Sequence, residues 1–314
     1  MKAHNSMKIG IKSILRIVYS IFGIWILSTS LLAQITIVLK NEFIEKYKNR
    51  TTIDATFTID KAHEKPNSPS KDGDLHIAGR APEIKLPVVA EIMNAKFEDA
   101  AVDLVHERES TSRTVSLSGA WRIWCEHGGS SDHIQGKRLS KFETSNPDHV
   151  FELHPVTKLD DISVLASIKP IEGYTPKKAE AAFGAYENKR CQIKINEPDN
   201  TTTIMTSMGG YNYVEFIMEL NGEPYNVADG KFVMASVLDL DEELIVRNRR
   251  MVFIKGTEAE NALKGLKAGD RLYVLGMPRI NLAIISWRTR NAAERPEVLT
   301  WNLPYEVIIV GVYK

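Results

Sequence analysis

The chain of 314 residues predicts a mainly β protein behind an N-terminal transmembrane helix. Three observations carry this. Residues 17–39 are an uncharged apolar run, and beyond residue 50 short segments repeatedly alternate apolar and polar positions, the period of half-buried strands. That alternation gives way to a helical period in only a few places. Lys+Arg and Asp+Glu stand at 40 each, with 43 % hydrophobic and 25 % charged residues; such a balance excludes a disordered, collagenous or disulfide-dense chain. The zero net charge hides an asymmetry, because residues 1–50 hold eight Lys/Arg against two Glu while the remainder is mildly acidic. A broad phosphate-binding surface needs clustered basic residues, so nucleic acid is disfavoured as a partner.

The run IVYSIFGIWILSTSLLAQITIVL, Ile17 to Leu39, follows Lys2, Lys8, Lys12 and Arg16. As a helix it spans about 34 Å, enough for a hydrocarbon core of about 30 Å. An uncleaved signal-anchor is favoured by this length, with the membrane as partner through residues 17–39 and the C-terminal domains exported. The alternative is a secreted form cleaved after Ala33, where Leu31 stands in place of a small residue. Lys40, Lys46, Lys48 and Arg50 balance the basic residues before the run, so the charge count does not set orientation. Cys125 and Cys191 suit either compartment, as a pair or as two free buried thiols.

Residues 51–170 form the first expected domain. TTIDATFTID alternates through Ile53, Ala55, Phe57 and Ile59; a Pro/Ser-rich loop follows, then the strand-like DLHIAGR and LPVVAEIM. In AKFEDAAVDLVHERE, residues Phe97, Ala101, Leu104 and Val105 share a helical face. Strands return as TVSLSGAWRIWC and HVFELHPVTKL. The order β-β-β-α-β-β is that of an OB-like five-stranded barrel with one helix, and Gly119 sits where such a barrel needs a bulge. Residues 175–189 read as a connecting helix with Thr175 as N-cap and Pro176 in its first turn, within a linker of residues 171–189. Residues 190–314 are again strand-rich (CQIKI, TTIMTSM, YVEFIMEL, KFVMASVL, RRMVFIK, RLYVLG, LAIISW, YEVIIVGVY) with one short helix, TEAENALKGL. They predict a second small β-barrel or β-sandwich, and no residue-level repeat links the halves.

DGDLH (Asp72–His76), VVAEI (Val88–Ile92), VSLSGAWRIWCEH (Val115–His127) and NPDHVFELHPV (Asn146–Val156) together resemble an exported domain family. Its members carry a DGDxH strand, an Ala-Glu-Ile strand, a Gly-x-Trp/Phe strand and a terminal ELHPV strand in this order. The resemblance covers about residues 51–160; it implies the barrel and assigns no activity.

Side chains two apart on a strand share a face, which pairs Asp74 with His76 and Glu152 with His154. With Glu91 from the third strand, two imidazoles and three carboxylates converge. This set suits a divalent metal, with His76 and His154 as the expected ligands, a general acid/base pair, or a buried hydrogen-bond network. The buried network is the plainest of the three. Asp72-Gly73-Asp74 reads as a hairpin turn rather than a calcium loop, and His127, His133 and His149 as exposed loop histidines. No phosphate-binding loop, dinucleotide fingerprint, C-x-x-C, H-E-x-x-H or G-x-S-x-G occurs. Arg247, Arg249, Arg250, Arg279, Arg288 and Arg290, near Trp287 and Trp301, form the one basic-aromatic grouping, read as a charged edge strand. The sequence therefore leads to an exported, membrane-anchored binding or scaffolding protein for a small ligand, glycan or protein. A metal-dependent hydrolase using Asp74, His76, Glu91, Glu152 and His154 is the alternative.

Overall fold

The computed structural model describes residues 34–111, 113–290 and 298–314. In chain order the first half contains β1 (Gln34–Lys40), α1 (Asn41–Tyr47), β2 (Thr52–Ala62), β3 (Leu75–Arg80), β4 (Val88–Ile92), α2 (Asp99–Thr111), β5 (Thr114–Ile123), β6 (Asp132–Ile134), β7 (Phe151–Leu159) and β8 (Ile162–Ser163). The second contains β9 (Lys177–Lys178), α3 (Ala179–Glu187), β10 (Arg190–Asn196), β11 (Thr201–Ser207), β12 (Val214–Leu220), β13 (Tyr225–Val227), β14 (Gly230–Leu238), β15 (Leu244–Ile254), α4 (Glu258–Ala262), β16 (Arg271–Ile280), α5 (Leu282–Arg290), β17 (Val298–Asn302) and β18 (Tyr305–Val312).

Two closed five-stranded barrels result. In the first, β2 pairs antiparallel with β3 and β5, β3 with β4, and β5 with β7, and the ring closes through a parallel β4–β7 pairing. Numbered within the barrel, the ring runs 1-2-3-5-4-1 with its helix, α2, between strands 3 and 4. That is the OB topology. The second barrel repeats it. There β12, β14, β15, β16 and β18 close through a parallel β15–β18 pairing, and α4 occupies the position of α2. Closure removes the free edges that would otherwise template aggregation. A separate sheet has the order β17-β10-β11-β1-β6, so residues 190–207 stand outside the second barrel.

Strand register relates the barrels at one place, a correspondence that the sequence does not display as a residue-level repeat. LSGAWRI (Leu117–Ile123) in β5 corresponds to VLGMPRI (Val274–Ile280) in β16, and FELHPV (Phe151–Val156) in β7 to YEVIIV (Tyr305–Val310) in β18. Register aligns them at the arginines, where Arg122 faces Glu152 and Ile123 faces Phe151, while Arg279 faces Glu306 and Ile280 faces Tyr305. At the bulges it differs by one position, Gly119 facing Val156 and Gly276 facing Ile309. Gly119 and Gly276 both sit at register shifts. A Cβ on Gly276 would lie 2.6 Å from Val307 Cγ1, and one on Gly119 would lie 3.0 Å from the Pro155 carbonyl, so close strand approach explains both glycines. The arginines join the barrels reciprocally. Arg122 Nε donates to the Pro278 carbonyl at 3.0 Å, and Arg279 Nη1 donates to the Trp121 carbonyl at 3.0 Å. Each arginine thus binds the residue preceding its counterpart, as an approximate two-fold axis between the barrels requires.

Several expectations change. Gln34–Leu39, the end of the apolar run, forms β1, with Ile35, Ile37 and Leu39 buried in the protein core. These residues therefore satisfy their backbone groups in a sheet rather than in a membrane helix; residues 1–33 lie outside the described residues. Thr175 does not cap a helix. The amide of Lys177 donates to the Tyr213 carbonyl, which draws Lys177–Lys178 into a short strand beside β12, and α3 begins at Ala179. LAIISW forms the start of α5 rather than a strand, because Asn281 Oδ1 accepts from the Ile284 amide as an N-cap. On α2, Ala101 and Val105 are buried, but Phe97 precedes the helix and is exposed. Cys125 and Cys191 are free, buried thiols.

Candidate functional site

Strand alternation places the expected cluster on the outer face of the first barrel. Leu75, Ile77, Ala90, Ile92 and Leu153 belong to the main core; the intervening His76, Glu91, Glu152 and His154 point the other way, with Asp74 just before β3. All are buried, Asp74 and His154 completely. Residues of the second barrel close over them. His154 Nε2 lies 2.7 Å from the Tyr213 hydroxyl, which donates to Asp74 Oδ2 at 2.6 Å. His154 Nδ1 faces Glu91 Oε2 at 3.2 Å and Glu152 Oε2 at 3.5 Å.

The two imidazoles thus share one carboxylate, because His76 Nε2 stands 3.5 Å from the same Glu91 oxygen. His76 also stacks on His63 with ring centroids 4.8 Å apart and lies 3.8 Å from Asp72. Asp72 Oδ1 accepts from the Asp74 amide at 3.1 Å, and Gly73 has φ +72°, so DGD is a turn that aims Asp74 inward. Glu152 has a fixed cation: Arg122, fully buried, binds it and Glu126.

Electrostatics follow from this crowding. Burial pushes Asp74 up to about 6, against the hydrogen bond and charge of His154. Burial opposes charging of His154, yet Glu91, Asp74 and Glu152 raise it to about 10. Burial likewise opposes His76, and Glu91, Asp72 and Asp74 raise it to about 9. Glu152 is also desolvated, but Arg122 and the two nearby histidines hold it well below its ordinary value. Tyr213 is raised well above 10 by burial beside Asp74.

Of the five expected residues, Asp74, Glu91 and His154 bring one donor atom each to within 4.8 Å of one another; His76 and Glu152 flank that set. Of the two imidazoles expected as ligands, His154 belongs to that set of donor atoms and His76 stands beside it. Sequence reasoning missed Tyr213, Arg122 and His149. Arg122 had a visible signal, a charge set among Trp121, Ile123 and Trp124. Tyr213 had none, since it arrives from the other barrel. The loop histidines are corrected too. His133 is buried, with Nε2 2.7 Å from the Gly128 carbonyl; His149 is buried, between the Pro147 carbonyl and Glu152.

A second site lies on strands 2 and 3 of the second barrel. A cleft of about 520 Å³ is lined by Arg249, Arg250 and Arg288 with Tyr225, Tyr305 and Glu187 among others. Arg249 binds Glu187 through Nε and Nη2 and lies over the Tyr305 ring. Arg250 is held by Glu306, to which Arg279 also binds. Arg279 lies 3.5 Å from the Trp121 ring centroid. Arg288 stacks on Trp301 at 4.6 Å, and its Nη1 is buried with no hydrogen-bond partner among the described residues. The arginine grouping seen in the sequence is thus partly an internal framework and partly the wall of a cleft.

No family model matches this chain, and the search of curated proteins finds no match. Among solved structures it is similar to a single-stranded DNA binding protein from Thermus aquaticus, at 8 % identity over 84 % of this chain and 90 % of that one, with a TM-score of 0.21. It is also similar to a structure described as "Structural mimicry for functional antagonism", at 12 % identity over 75 % of this chain and 90 % of that one, with a TM-score of 0.19. The OB assignment of both barrels rests on strand order and closure alone.

Proposed function

We propose that this protein is a non-catalytic binding protein that takes a small acidic, ring-shaped ligand, such as an acidic sugar, in the cleft of its second barrel. The cleft carries this reading. It occupies the sheet face and rim that OB barrels use for oligonucleotides and oligosaccharides; extension to this chain is a fold-level analogy. Beside tyrosine rings its lining presents three arginines, of which Arg249 is paired with Glu187 and Arg250 with Glu306, so that Arg288 supplies the unmatched positive charge. Arg288 lines the cleft, stacked on Trp301, with no carboxylate partner among the described residues, and a guanidinium so placed suits a carboxylate or sulfate. The volume fits a ligand of one or two sugar rings rather than a polymer. Catalysis at the first-barrel cluster is disfavoured by access, because Asp74, Glu91, Glu152 and His154 are at most 3 % exposed.

The N-terminal segment would bring the protein to or across a membrane. With Gln34–Leu39 in β1, the stretch left for lipid or for a leader ends at Ala33, the cleavage point that the sequence offers. N-terminal sequencing of the mature protein separates an intact anchor from a chain beginning at Gln34.

Calorimetric titration with uronic-acid-containing and neutral disaccharides tests the binding reading. The acidic ligands should bind, and Arg288→Ala should weaken them at least tenfold without altering thermal stability by more than a few degrees. Absence of acidic-sugar binding at millimolar concentration, or wild-type affinity in Arg288→Ala, overturns it. A steep salt dependence with single-stranded oligonucleotides would favour nucleic acid instead.

A further inference from the structure

The duplicated barrels contain an internal comparison that bears on the buried cluster. Aligned by register, Glu91 in the first barrel corresponds to Val252 in the second, His76 to Phe232 and His154 to Ile308, while Asp74 falls at Gly230. Arg122–Glu152 corresponds to Arg279–Glu306 and is kept in both. At these positions the outer face is thus apolar in one barrel, where Phe232, Val252 and Ile308 join a hydrophobic cluster, and charged in the other. Packing alone does not demand charge there, since the scaffold closes over Phe, Val and Ile.

We propose that Asp74, Glu91 and His154 bind one divalent cation of borderline character, Zn²⁺ or Mn²⁺, through two carboxylate oxygens and one imidazole nitrogen. Their donor atoms already lie within 4.8 Å of one another. His154 Nδ1 and Glu91 Oε2 are 3.2 Å apart, and two ligands each about 2.1 Å from a shared ion stand roughly 3.0–3.4 Å apart.

Two fully buried atoms of this set have no hydrogen-bond partner among the described residues: Asp74 Oδ1 and His154 Nδ1, the latter facing Glu91 Oε2, while Asp74 Oδ2 lies 3.2 Å from His154 Nε2. The other side of each group is fixed. His154 Nε2–H donates to Tyr213 Oη, and Tyr213 Oη donates to Asp74 Oδ2. This leaves the Nδ1 lone pair and Oδ1 as available ligands, the arrangement by which neighbouring groups orient metal-binding histidines.

Charge supports the same occupant. Asp74, Glu91 and Glu152 are three buried carboxylates, whereas Arg122, the fixed cation at the cluster, is committed to Glu152 and Glu126. A divalent ion supplies two positive charges beside Asp74 and Glu91, the buried carboxylates that Arg122 does not bind. The donor set of one nitrogen and two oxygens suits Zn²⁺ or Mn²⁺ better than Ca²⁺, which takes six or more oxygens. Burial makes the ion's role structural, a fastener beneath Tyr213 at the junction of the barrels.

The test is metal content of the full chain in detergent, after incubation with excess Zn²⁺ or Mn²⁺ and removal of free ion. The wild type should retain about one equivalent and lose thermal stability when a chelator strips it. X-ray absorption of the bound ion should show nitrogen and oxygen donors with one imidazole. Glu91→Val/His154→Ile, which installs the second barrel's own residues, should remain folded by circular dichroism and retain less than a tenth of an equivalent. Should that pair misfold, the isosteric Asp74→Asn decides alone, through at least tenfold weaker retention. Negligible metal in the wild type, sulfur or two imidazoles at the ion, or undiminished metal in Asp74→Asn overturns the proposal.

Discussion

Glu306→Gln is the most searching perturbation of the joint between the barrels. Glu306 is fully buried and accepts from two guanidiniums, Arg279 at 2.6 Å and Arg250. Glutamine keeps the volume but removes the charge, and its amide nitrogen meets a donor where a carboxylate oxygen accepted. Arg279 is then left as a buried cation. Burial already lowers it to about 10 despite Glu306. Breaking a buried ion pair by removing one partner costs about 3–5 kcal/mol. Arg279 keeps its bonds to the carbonyls of Arg50, Thr51 and Trp121, which places the cost near the lower end, ~3 kcal/mol. For a chain of this size that corresponds to a fall in Tm of roughly 4–6 °C. Thermal unfolding followed by circular dichroism measures it. A fall of less than about 2 °C would refute the view that Glu306 secures the arginines at the barrel joint, since it would mean that the carbonyls suffice.

Other outcomes follow from the same geometry. Asp229 accepts from the amides of Thr51 and Thr52 and pairs with Arg50; burial opposes the shift, but these bonds hold its pKa below the ordinary value. Its stabilisation is present above about pH 4 and is lost as pH falls through the lowered folded value; Asp229→Asn should therefore be less stable at neutral pH and show a shallower acid loss in urea titrations below pH 4. Gly276→Ala should destabilise by about 1–3 kcal/mol through overpacking, and more than Gly119→Ala. Its added Cβ meets a side chain at 2.6 Å rather than a carbonyl at 3.0 Å, and equal denaturation midpoints would contradict the bulge argument. Tyr213→Phe removes the hydroxyl between His154 and Asp74 and should cost about 1–3 kcal/mol; an unchanged midpoint would mean that the bridge is dispensable.

Much of the first barrel was legible because its strands are half-buried. Ile53, Ala55, Phe57 and Ile59 alternate with solvent-facing residues along β2, and period two encodes that directly. LAIISW was misread because a short apolar run looks alike as buried strand or helix; Asn281 just before it held the capping signal. The repeat was hidden by spacing. Thirty residues separate Arg122 from Glu152 and twenty-seven separate Arg279 from Glu306, so no fixed period connects the motifs, and only strand register exposes them.

What the chain's order alone determined is the alternation of faces: which residues turn inward, where a helix interrupts, and that Asp74 with His76 and Glu152 with His154 face together. Those follow from backbone periodicity, a local property. Tertiary structure decided which outward faces became inward ones. Glu91 meets both imidazoles because β3, β4 and β7 close into one ring, and Tyr213 and Pro278 complete the cluster and its arginine from a second barrel. Burial of a charge is set by what covers it, and the covering residues lie up to 156 positions away from those they cover.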